Sequence, residues 1–327
     1  MHNRKILSRT LFLSLIALLV GLFCFSAIQL FSQPPLPAGT DENSKDKTVV
    51  RDGVEYFPRQ DITTFLLMGI DEEGPVAESE SYNNAGAADM LALVVFDHAE
   101  EAYRVLMVNR DTVTEMNVLG IGGAKAGTIT QQIALAHTYG TGMQDSCENT
   151  ADAVADLLQL PEVDYYLSIN MDAIALLTDA VGGVTVEVKD DFSAIDPTIT
   201  KGTLTLNGEQ ARHFVQGRKN VGDELNTSRL ARHETFIRAF LASLDAKLDE
   251  SDLFASKIFG EIEDYSVSDL SATNLSSMFS RYKDYSFDGI KSIPGTTDHP
   301  DGFMEFYPDE NALKDIVFDF FYSEKKL

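Results

Sequence analysis

Acidic and basic side chains stand beside several apolar segments of the sequence, where strands would begin or end. Asp71 directly follows FLLMGI, and Arg110 and Asp111 follow YRVLMVN. Asp89 precedes MLALVVF and Asp97 follows it. Ligands gather at the carboxyl ends of strands in α/β sheets, and paired carboxylates suit a hard divalent cation that also binds phosphate oxygens. Aspartate at a strand end is also a common turn former, so this pattern alone leaves both interpretations open.

Basic side chains are concentrated in residues 201–240, which have a local charge of +3 within an otherwise acidic chain. The basic residues of this segment are Lys201, Arg212, Arg218, Lys219, Arg229, Arg232 and Arg238. Arginines bind phosphate through forked, charge-assisted hydrogen bonds, so the cluster indicates phosphate recognition. Salt bridges to the many acidic residues of the chain explain the cluster equally well.

The elements that would position these residues follow an alternating order. The apolar runs 65–70, 90–96, 103–108, 165–169 and 184–188 predict strands. The segments 129–139, 149–160, 208–214 and 228–248 predict helices. This alternation predicts an α/β fold, with a single α-β-α-type layered extracellular domain around a central mixed sheet.

The N-terminus predicts one transmembrane helix. Residues 11–31 are uncharged and long enough to cross a bilayer. Arg4, Lys5 and Arg9 precede this segment, which predicts a cytoplasmic tail at residues 1–10, a single-pass anchor in the cell membrane, and the bulk of the protein outside the cell. A cleaved signal peptide is the alternative, but its apolar region would be long and no clear cleavage site follows.

An extracellular linker is predicted after the anchor. Residues 32–60 contain a proline-rich stretch and a polar stretch without periodicity. The segment VVRDGVEYF at residues 49–57 predicts a short hairpin with Asp52 and Gly53 in its turn. The remaining residues, 61–327, show no second linker and are predicted to form one domain.

Composition excludes several classes of protein. Residues 32–327 carry 23 basic side chains against all 51 acidic ones, a net of −28. Such a polyanion would repel nucleic acid, because nonspecific affinity for nucleic acid comes from Lys and Arg. The two cysteines exclude a disulfide framework, and Cys147 with the nearby His137 is interpreted as structural. Residues 122–128 resemble a phosphate loop but place Thr128 where that loop needs lysine.

Seven segments of the chain, in their order and spacing, resemble the LytR-CpsA-Psr family of cell-envelope proteins, most strongly over residues 65–240. They are FLLMGID (65–71), GAADMLALVVF (86–96), NRDT (109–112), QIALAHTYG (132–140), VDYYLSINMDAI (163–174), VGGVTVEV (181–188) and the segment 206–240. The resemblance implies a phosphotransferase that moves a glycopolymer from a polyprenyl (pyro)phosphate carrier onto peptidoglycan as a phosphodiester. The implied partners are the polyprenyl-linked glycopolymer, peptidoglycan and membrane lipid, and nucleic acid is not among them.

The resemblance also implies roles for seven residues. Asp71 and Asp89 would hold Mg²⁺ (or Mn²⁺), Arg110, Asp111 and Arg218 would be catalytic, and Arg229 and Arg232 would bind the substrate. Arginines and a divalent cation suit this chemistry, since a pyrophosphate must have its charge neutralised during phosphoryl transfer. Asp111 is a candidate for the base that activates the acceptor hydroxyl. An apolar pocket for the polyprenyl tail is expected near VDYYLSI and near AVGGV at residues 180–184.

Several positions depart from the family pattern by lacking positive charge. Ala87 stands where the family has an arginine two positions before Asp89. Glu72 and Glu73 follow the first aspartate, where an arginine is usual, and Gln216 replaces the first member of an R-x-R pair. Each lost contact with a charged phosphate would cost on the order of 1.5–3 kcal/mol.

Two expectations follow from these missing charges. Lys125 or Lys219 could supply the positive charge, in which case the chain is an enzyme. Otherwise the chain is a non-catalytic relative that binds polyprenyl phosphate or wall polymer as a sensor or scaffold.

Overall fold

A six-stranded mixed sheet lies at the centre of the fold. The computed structural model describes residues 48–324 except 83, 85, 225, 252, 300 and 301, all within one unit, Asp46–Leu327. In spatial order the strands are β11 (Ser266–Ser268), β8 (Tyr165–Ile169), β3 (Ile62–Ile70), β4 (Ala88–Asp97), β5 (Ala102–Val108) and β12 (Ser286–Ser292). Strands β3, β4 and β5 are antiparallel neighbours, whereas β8 runs parallel to β3 and β12 parallel to β5.

Smaller sheets surround the central one. Strands β1 (Val49–Arg51), β2 (Val54–Pro58) and β15 (Tyr322–Ser323) form a three-stranded sheet. The antiparallel pairs are β6 (Val113–Leu119) with β7 (Lys125–Gln132), β9 (Val184–Val188) with β10 (Gly202–Leu206), and β13 (Gly295–Asp298) with β14 (Glu305–Pro308). Short 3-10 helices cover Ile121–Gly123, Ile133–Thr138 and Glu263–Tyr265.

Helices pack on both faces of the central sheet and give the predicted three layers. One layer contains α1 (Gln144–Leu158), α7 (Glu310–Phe321) and the 3-10 helix Ile133–Thr138. The other contains α2 (Met171–Ala180), α3 (Gly208–Gln216), α4 (Asn226–Glu250), α5 (Phe254–Glu261) and α6 (Ala272–Tyr282). Each layer forms its own apolar core with the sheet, so the predicted α/β class and central mixed sheet are confirmed.

Asparagine N-caps fix where two helices of the second layer begin. Asn207 accepts a hydrogen bond from the backbone N–H of Gln210 at 2.9 Å, and the Gln210 side chain accepts one from the Asn207 N–H at 3.1 Å. This reciprocal capping box satisfies two N–H groups that lack partners within helix α3. Asn170 caps α2 in a similar way, by accepting from Asp172 and Ala173. These two helices lie next to the candidate site.

The two faces of strand β3 meet different environments, because successive side chains of a strand point to opposite faces. Leu66 and Met68 are fully buried in the core beneath α1. Phe65, Leu67 and Gly69 face the other layer, where they line an apolar cavity. The same strand therefore supports a closed core on one face and an open cavity on the other.

The five predicted strands are confirmed as β3, β4, β5, β8 and β9, and three of the predicted helices correspond to α1, α3 and α4. The helix predicted over residues 129–139 is wrong. Its first residues belong to β7, where Ile129 pairs with Met116 of β6, and the rest form a 3-10 helix. The Ala136 carbonyl there accepts a hydrogen bond from the Asn149 side chain at 2.7 Å.

The predicted hairpin before the domain is confirmed by β1 and β2, with Asp52 and Gly53 at positive φ in its turn. Strand β2 also pairs with β15, so the folded unit begins before residue 61. The predicted anchor at residues 11–31 lies outside the described residues. Within the described part, we find no helix with the length and apolar character that a membrane span requires.

The two faces of β3 should differ in their tolerance of truncation. Leu66→Ala is expected to lower the free energy of unfolding by about 2–5 kcal/mol. Leu67→Ala should cost at least about 1 kcal/mol less, because Leu67 already borders empty space and has fewer contacts to lose. Urea unfolding of the two variants provides the comparison, and equal losses would contradict the assignment of the two faces.

Candidate active site

The antiparallel pairing of the central strands brings the predicted acidic and basic residues to one edge of the sheet. The Asp71 N–H donates to the Ala87 carbonyl at 3.2 Å, next to the end of the β3–β4 pairing. Strand β4 pairs with β5 up to the Leu91–Val108 position, so Asp89 faces the residues that follow β5. Asp97 lies at the opposite end of β4 and pairs with Arg59 at 2.7 Å; it takes no part in this site.

A polar cleft lies at this edge of the sheet. Its walls are Asp71, Asp89, Arg110, Ile195, His213, Gln216, Gly217, Arg218, Lys219 and Arg229. Five of the seven residues implied by the family resemblance therefore line one cleft. Asp111 and Arg232 are the other two, and neither is among its walls.

Asp89 is bound by two arginines in the wall of the cleft. Arg110 Nη1 forms an ion pair with Asp89 Oδ1, and Arg229 Nη1 donates to Asp89 Oδ2 at 2.7 Å. All three side chains are largely buried. Burial, together with the charge of Arg229, lowers the pKa of Arg110 to about 10, and burial lowers the pKa of Arg229. Among the described residues, Arg229 Nη2 is buried without a hydrogen-bond partner.

Asp111 lies behind Arg110 and not in the cleft. Its side chain is only 3% exposed and stands 3.4 Å from Arg110 Nε. Gln132 Nε2 also approaches Asp111 Oδ1 at 3.4 Å. The backbone carbonyl of Asp111 accepts the Phe306 N–H at 2.8 Å. Asp111 therefore helps to position Arg110 at the end of β5.

The loop after α3 supplies the exposed cations of the cleft. Arg218 and Lys219 are exposed, and the described part of the chain gives neither an ion-pair partner. Gln216, which replaces a family arginine, donates from Nε2 to Asp71 Oδ1 at 3.0 Å. Of the two lysines considered as replacements, Lys219 lines the cleft, whereas Lys125 lies near Asp152 of α1.

Arg232 holds this loop in place. Its Nε donates to the Phe214 carbonyl at 3.3 Å and its Nη2 to the Gly217 carbonyl. Its Nη1 pairs with Asp190 at 2.7 Å, and burial lowers the pKa of Arg232. Because all three of its nitrogens bind protein groups, Arg232 is a positioning residue in this structure. The family resemblance implies a substrate contact for Arg232, and the structure instead shows contacts with the loop and with Asp190.

Two features of the cleft wall were missed from the sequence. His213 lines the cleft, with Nδ1 3.1 Å from Asp196 and Nε2 3.3 Å from Glu209. Ile195 adds an apolar contact nearby. The signal in the sequence was the spacing of His213 and Gln216, three residues apart, which places both on one face of a helix.

An apolar cavity extends from the cleft between the sheet and helix α4. The two share Asp89, Gln216 and Arg229, and the rest of the cavity wall is almost entirely apolar. Leu167 and Ile169 belong to this wall, as expected for the VDYYLSI segment, whereas Gly182 and Gly183 of the AVGGV segment do not. The charged cleft therefore opens directly into a cavity with an apolar, hydrocarbon-like wall.

The carboxylates of the cleft fit a divalent cation that is held partly by its substrate. Mg²⁺ takes one or two protein carboxylates and completes its shell with water and phosphate oxygens. Asp71 presents a carboxylate with one oxygen bonded to Gln216, whereas both oxygens of Asp89 are paired with arginines, so Asp71 offers the available oxygen for the ion. No group of three or more His, Cys, Asp or Glu side chains suitable for a metal exists within the described ranges, so an all-protein metal cage does not fit.

Cys147 has the structural role expected from the sequence. It is fully buried and its thiol lies 3.4 Å from Ser168 Oγ. Burial raises the pKa of Cys147 to about 12. A thiol that stays protonated in a core is a poor nucleophile.

Loss of the charge on Asp89 should destabilise the protein, because Arg110 and Arg229 would be left buried beside each other. Asp89→Asn is expected to lower the free energy of unfolding by about 3–5 kcal/mol. Asp71→Asn is the matched control, since Asp71 is exposed and should change stability by about 0.5 kcal/mol or less. Chemical unfolding of both variants tests this, and a stable Asp89→Asn protein would contradict the assigned ion cluster.

His233 should make stability depend on pH. Burial and the nearby Arg229 lower its pKa to about 3 from the ordinary 6.5, so the unfolded chain takes up this proton first as pH falls. Between pH 8 and pH 5 the wild type should lose on the order of 2 kcal/mol from this residue. His233→Gln should lack this contribution. Unfolding curves of both proteins at the two pH values measure the difference, and identical pH dependence would refute it.

Curated relatives match between half of the chain and nearly all of it. The Bacillus subtilis (strain 168) protein named polyisoprenyl-teichoic acid–peptidoglycan teichoic acid transferase TagU is 26% identical over 324 residues, covering 97% of this chain and 96% of the relative. The protein of the same name from Halalkalibacterium halodurans is 30% identical over 203 residues, covering 61% of this chain and 58% of the relative.

Solved structures share the fold. Bacillus subtilis TagT superposes with a TM-score of 0.58 and 22% identity, covering 84% of this chain and 94% of TagT. The Streptococcus agalactiae protein gbs0355 gives a TM-score of 0.64 and 23% identity, covering 79% of this chain and 86% of gbs0355. Residues 38–318 match the LytR_cpsA_psr family, and the chain therefore belongs to that family, as the seven sequence segments predict.

Proposed function

We propose that this chain is a phosphotransferase that moves a glycopolymer from a polyprenyl (pyro)phosphate carrier onto peptidoglycan. The junction of the polar cleft with the apolar cavity at Asp89, Gln216 and Arg229 carries the proposal. Such a junction suits an amphiphile with a phosphate head joined to a hydrocarbon tail. The relatives support this reading, since they are named polyisoprenyl-teichoic acid–peptidoglycan teichoic acid transferases.

In the proposed reaction, a peptidoglycan hydroxyl oxygen attacks the phosphorus atom that carries the glycopolymer. A new P–O bond forms while the bond from that phosphorus to the bridging oxygen of the pyrophosphate breaks. Polyprenyl phosphate leaves with the bridging oxygen and its electron pair, and the hydroxyl proton passes to a base. The product is a phosphodiester between glycopolymer and peptidoglycan.

The cations of the cleft would stabilise the charge that develops on the phosphoryl oxygens. Arg229 Nη2 is a buried donor with no partner among the described residues, so a phosphate oxygen would satisfy it. Arg218 and Lys219 stand at the exposed rim, where they meet the head group first. Arg110 is held by Asp89 and Asp111 at the inner wall.

The geometry favours His213 over Asp111 as the proton acceptor. His213 lines the cleft, its Nδ1 is held 3.1 Å from Asp196, and its Nε2 would accept the proton once the exposed Glu209 carboxylate, now 3.3 Å away, moves aside. Asp111 is buried behind Arg110 and could receive a proton only if the site rearranged. A histidine oriented by a carboxylate is a common arrangement for general base catalysis.

Asp71 and Asp89 would hold Mg²⁺ (or Mn²⁺) against the phosphate oxygens, with Asp89 joining the ion once a phosphate oxygen replaces it as the partner of Arg110 or Arg229. When bound, the ion would neutralise the pyrophosphate charge and favour departure of the phosphate. This role would reduce the need for the arginines that are absent at positions 72, 87 and 216.

The proposed location follows from the N-terminal pattern. Residues 11–31 would anchor the chain in the cell membrane, with residues 1–10 in the cytoplasm and the folded unit outside. Polyprenyl carriers lie in the same membrane, so an anchored enzyme would find its lipid substrate by diffusion in two dimensions. A net charge of −28 over residues 32–327 disfavours direct action on nucleic acid.

A second candidate function rests on the reduced positive charge. Gln216 gives Asp71 a neutral hydrogen bond, and Arg212 is paired with Glu73 and Glu209. The inner part of the cleft thus has fewer free cations than the family pattern supplies. A protein of this kind would bind polyprenyl phosphate or wall polymer without turnover, as a sensor or scaffold.

Turnover of a polyprenyl-pyrophosphoryl oligosaccharide with peptidoglycan and Mg²⁺ tests the two functions. The full chain should release polyprenyl phosphate. Arg110→Ala and Arg218→Ala should each lower kcat/KM by roughly 10- to 100-fold, as expected for a lost charged hydrogen bond. Arg238→Ala is the matched control on α4, because Arg238 is exposed and outside the cleft, and it should stay within about twofold.

Chelation and the histidine variant refine this test. EDTA should abolish turnover, and added Mg²⁺ or Mn²⁺ should restore it. His213→Gln should lower kcat more than KM if the imidazole accepts the proton. Binding of the lipid without turnover, with either metal and with peptidoglycan present, would instead establish the sensor or scaffold function.

A further inference from the structure

The hairpin of β13 and β14 stands at the same edge of the sheet as the polar cleft. Strand β12 runs parallel to β5, so both strands end at this edge, and β13 begins three residues after β12 ends. Phe306 of β14 forms a bridge with Thr112, and its N–H donates to the Asp111 carbonyl at 2.8 Å. Arg110 of the cleft wall immediately precedes Asp111 in the chain. The hairpin is therefore a direct neighbour of the cleft.

The base of the hairpin is fixed by contacts on both strands. The Asp309 N–H donates to the Pro294 carbonyl at 2.8 Å, and the Asp309 side chain caps helix α7. Gln132 Nε2 donates to the Met304 carbonyl. Side chains on this hairpin thus have a defined position relative to the cleft, which lowers the entropic cost of binding a ligand.

One face of the hairpin is polar and aromatic and lies open to solvent. Thr296 pairs with Tyr307 and Asp298 with Glu305, so these four side chains share one face, which we call the outer face. The Tyr307 hydroxyl donates to the Glu305 carboxylate, and Tyr307 remains 44% exposed. Phe306 points to the opposite side and is buried. The hairpin is therefore anchored through one face and presents the other.

The residue types of the outer face suit a sugar. A tyrosine ring gives a broad, rigid contact surface at low entropic cost, and the C–H face of a pyranose ring can lie against it. Carboxylates accept hydrogen bonds from hydroxyl groups, and Asp298 and Glu305 lie next to the Tyr307 ring position on the same face. Phe303, between the two strands, is 71% exposed and would offer a second ring.

Charge decides which reactant of the proposed transfer this face can bind. Asp298 and Glu305 would repel a glycopolymer that carries phosphate, whereas Arg218 and Lys219 of the cleft would attract it. The glycan strand of peptidoglycan presents hydroxyl and acetamido groups in place of phosphate, so it meets no such repulsion. The outer face therefore fits the acceptor and not the donor.

We propose that the outer face binds the glycan strand of the peptidoglycan acceptor, next to the sugar whose hydroxyl attacks. This rests on the proposed function for the identity of the reaction. The attacking hydroxyl enters the cleft near Arg110, while a neighbouring sugar of the same strand lies on Tyr307. The outer face makes no contact with the reacting atoms, so it sets the affinity for the acceptor and leaves the rate of the bond-forming step unchanged.

Binding of a neutral, soluble N-acetylglucosamine oligosaccharide tests the outer face without any reaction. The full chain in detergent should bind this probe. Tyr307→Ala should weaken binding at least about tenfold, as for an aromatic side chain removed from the centre of a contact, whereas Tyr307→Phe keeps the ring and should stay within about threefold. Leu253→Ala is the matched control, because Leu253 is an apolar side chain, 77% exposed and outside the hairpin, and it should stay within about twofold.

A pair of glutamate variants repeats the test through charge. Glu305→Ala removes an acceptor from the outer face and should weaken binding of the oligosaccharide at least about threefold. Glu310→Ala is its control, since Glu310 is exposed in the first turn of α7, and it should stay within about twofold. Thermal unfolding identifies any variant that fails to fold, and the other pair then decides.

Kinetics with peptidoglycan distinguishes an acceptor site from a donor site. Tyr307→Ala should raise the KM for peptidoglycan roughly tenfold and leave kcat and the KM for the polyprenyl-linked donor within about twofold. A rise confined to the KM for the donor, or a fall in kcat alone, would overturn the proposal.

Failure of this proposal and failure of the proposed function give different results. A wild type that binds the oligosaccharide through Tyr307 but does not turn over supports the outer face as a glycan site and removes the transferase. Turnover by Tyr307→Ala with an unchanged KM for peptidoglycan overturns the outer face and leaves the transferase intact. A wild type that does not bind the oligosaccharide, or equal binding by Tyr307→Ala and Leu253→Ala, overturns the outer face as well.

Discussion

A buried carboxylate between two arginines joins three separate parts of the fold. Asp89 begins the central strand, Arg110 follows the neighbouring strand, and Arg229 comes from helix α4 in the layer above. Removing three charged groups from water is expensive, and their mutual attraction offsets that cost only while all three remain together. The cluster therefore fixes the distance between the sheet and α4 at the point where the cavity meets the cleft.

The same cluster explains how one strand, β4, serves two kinds of chemistry. Asp89, the second residue of β4, is charged and held by two arginines, whereas Met90, Ala92, Val94 and Phe96 line the apolar cavity. The opposite face of the strand is occupied by Leu91, Leu93 and Val95 in the closed core. Alternation along the strand thus separates the closed core from the apolar cavity, and position along the strand separates the polar cleft from that cavity.

The sequence patterns predicted most of the strands and helices, but they did not predict which of these elements lie next to each other. Continuous apolar runs predicted the central strands because these strands are buried on both faces. The pairing that brings Asp71 and Asp89 together depends on the antiparallel register of β3 and β4, which no local pattern contains. Residues 129–139 were misassigned since their apolar spacing suits a helix, while pairing with β6 and the Asn149 side chain decide their conformation.

The site residues also include both correct placements and one that the sequence could not distinguish. The family resemblance supplied Arg110, Arg218 and Arg229, and the structure places all three in one cleft. Arg232 lies in the same helix, three residues after Arg229, but its donors are used by the Phe214 and Gly217 carbonyls and by Asp190. Residue type and spacing cannot distinguish an arginine that binds phosphate from one that binds backbone.

The positive charge available to a ligand is concentrated in the loop after α3. The inner arginines already have a carboxylate partner, so Arg218 and Lys219 at the rim are the cations without ion-pair partners in the described cleft wall. That loop is held close to the protein, because Gly217 packs so tightly that a Cβ there would lie 3.0 Å from the Phe192 ring. Arg232 Nη2 also donates a hydrogen bond to the Gly217 carbonyl. A loop fixed at Gly217 can present these two exposed side chains at a constant position, which would let a chain with fewer arginines than the family pattern direct positive charge at a phosphate.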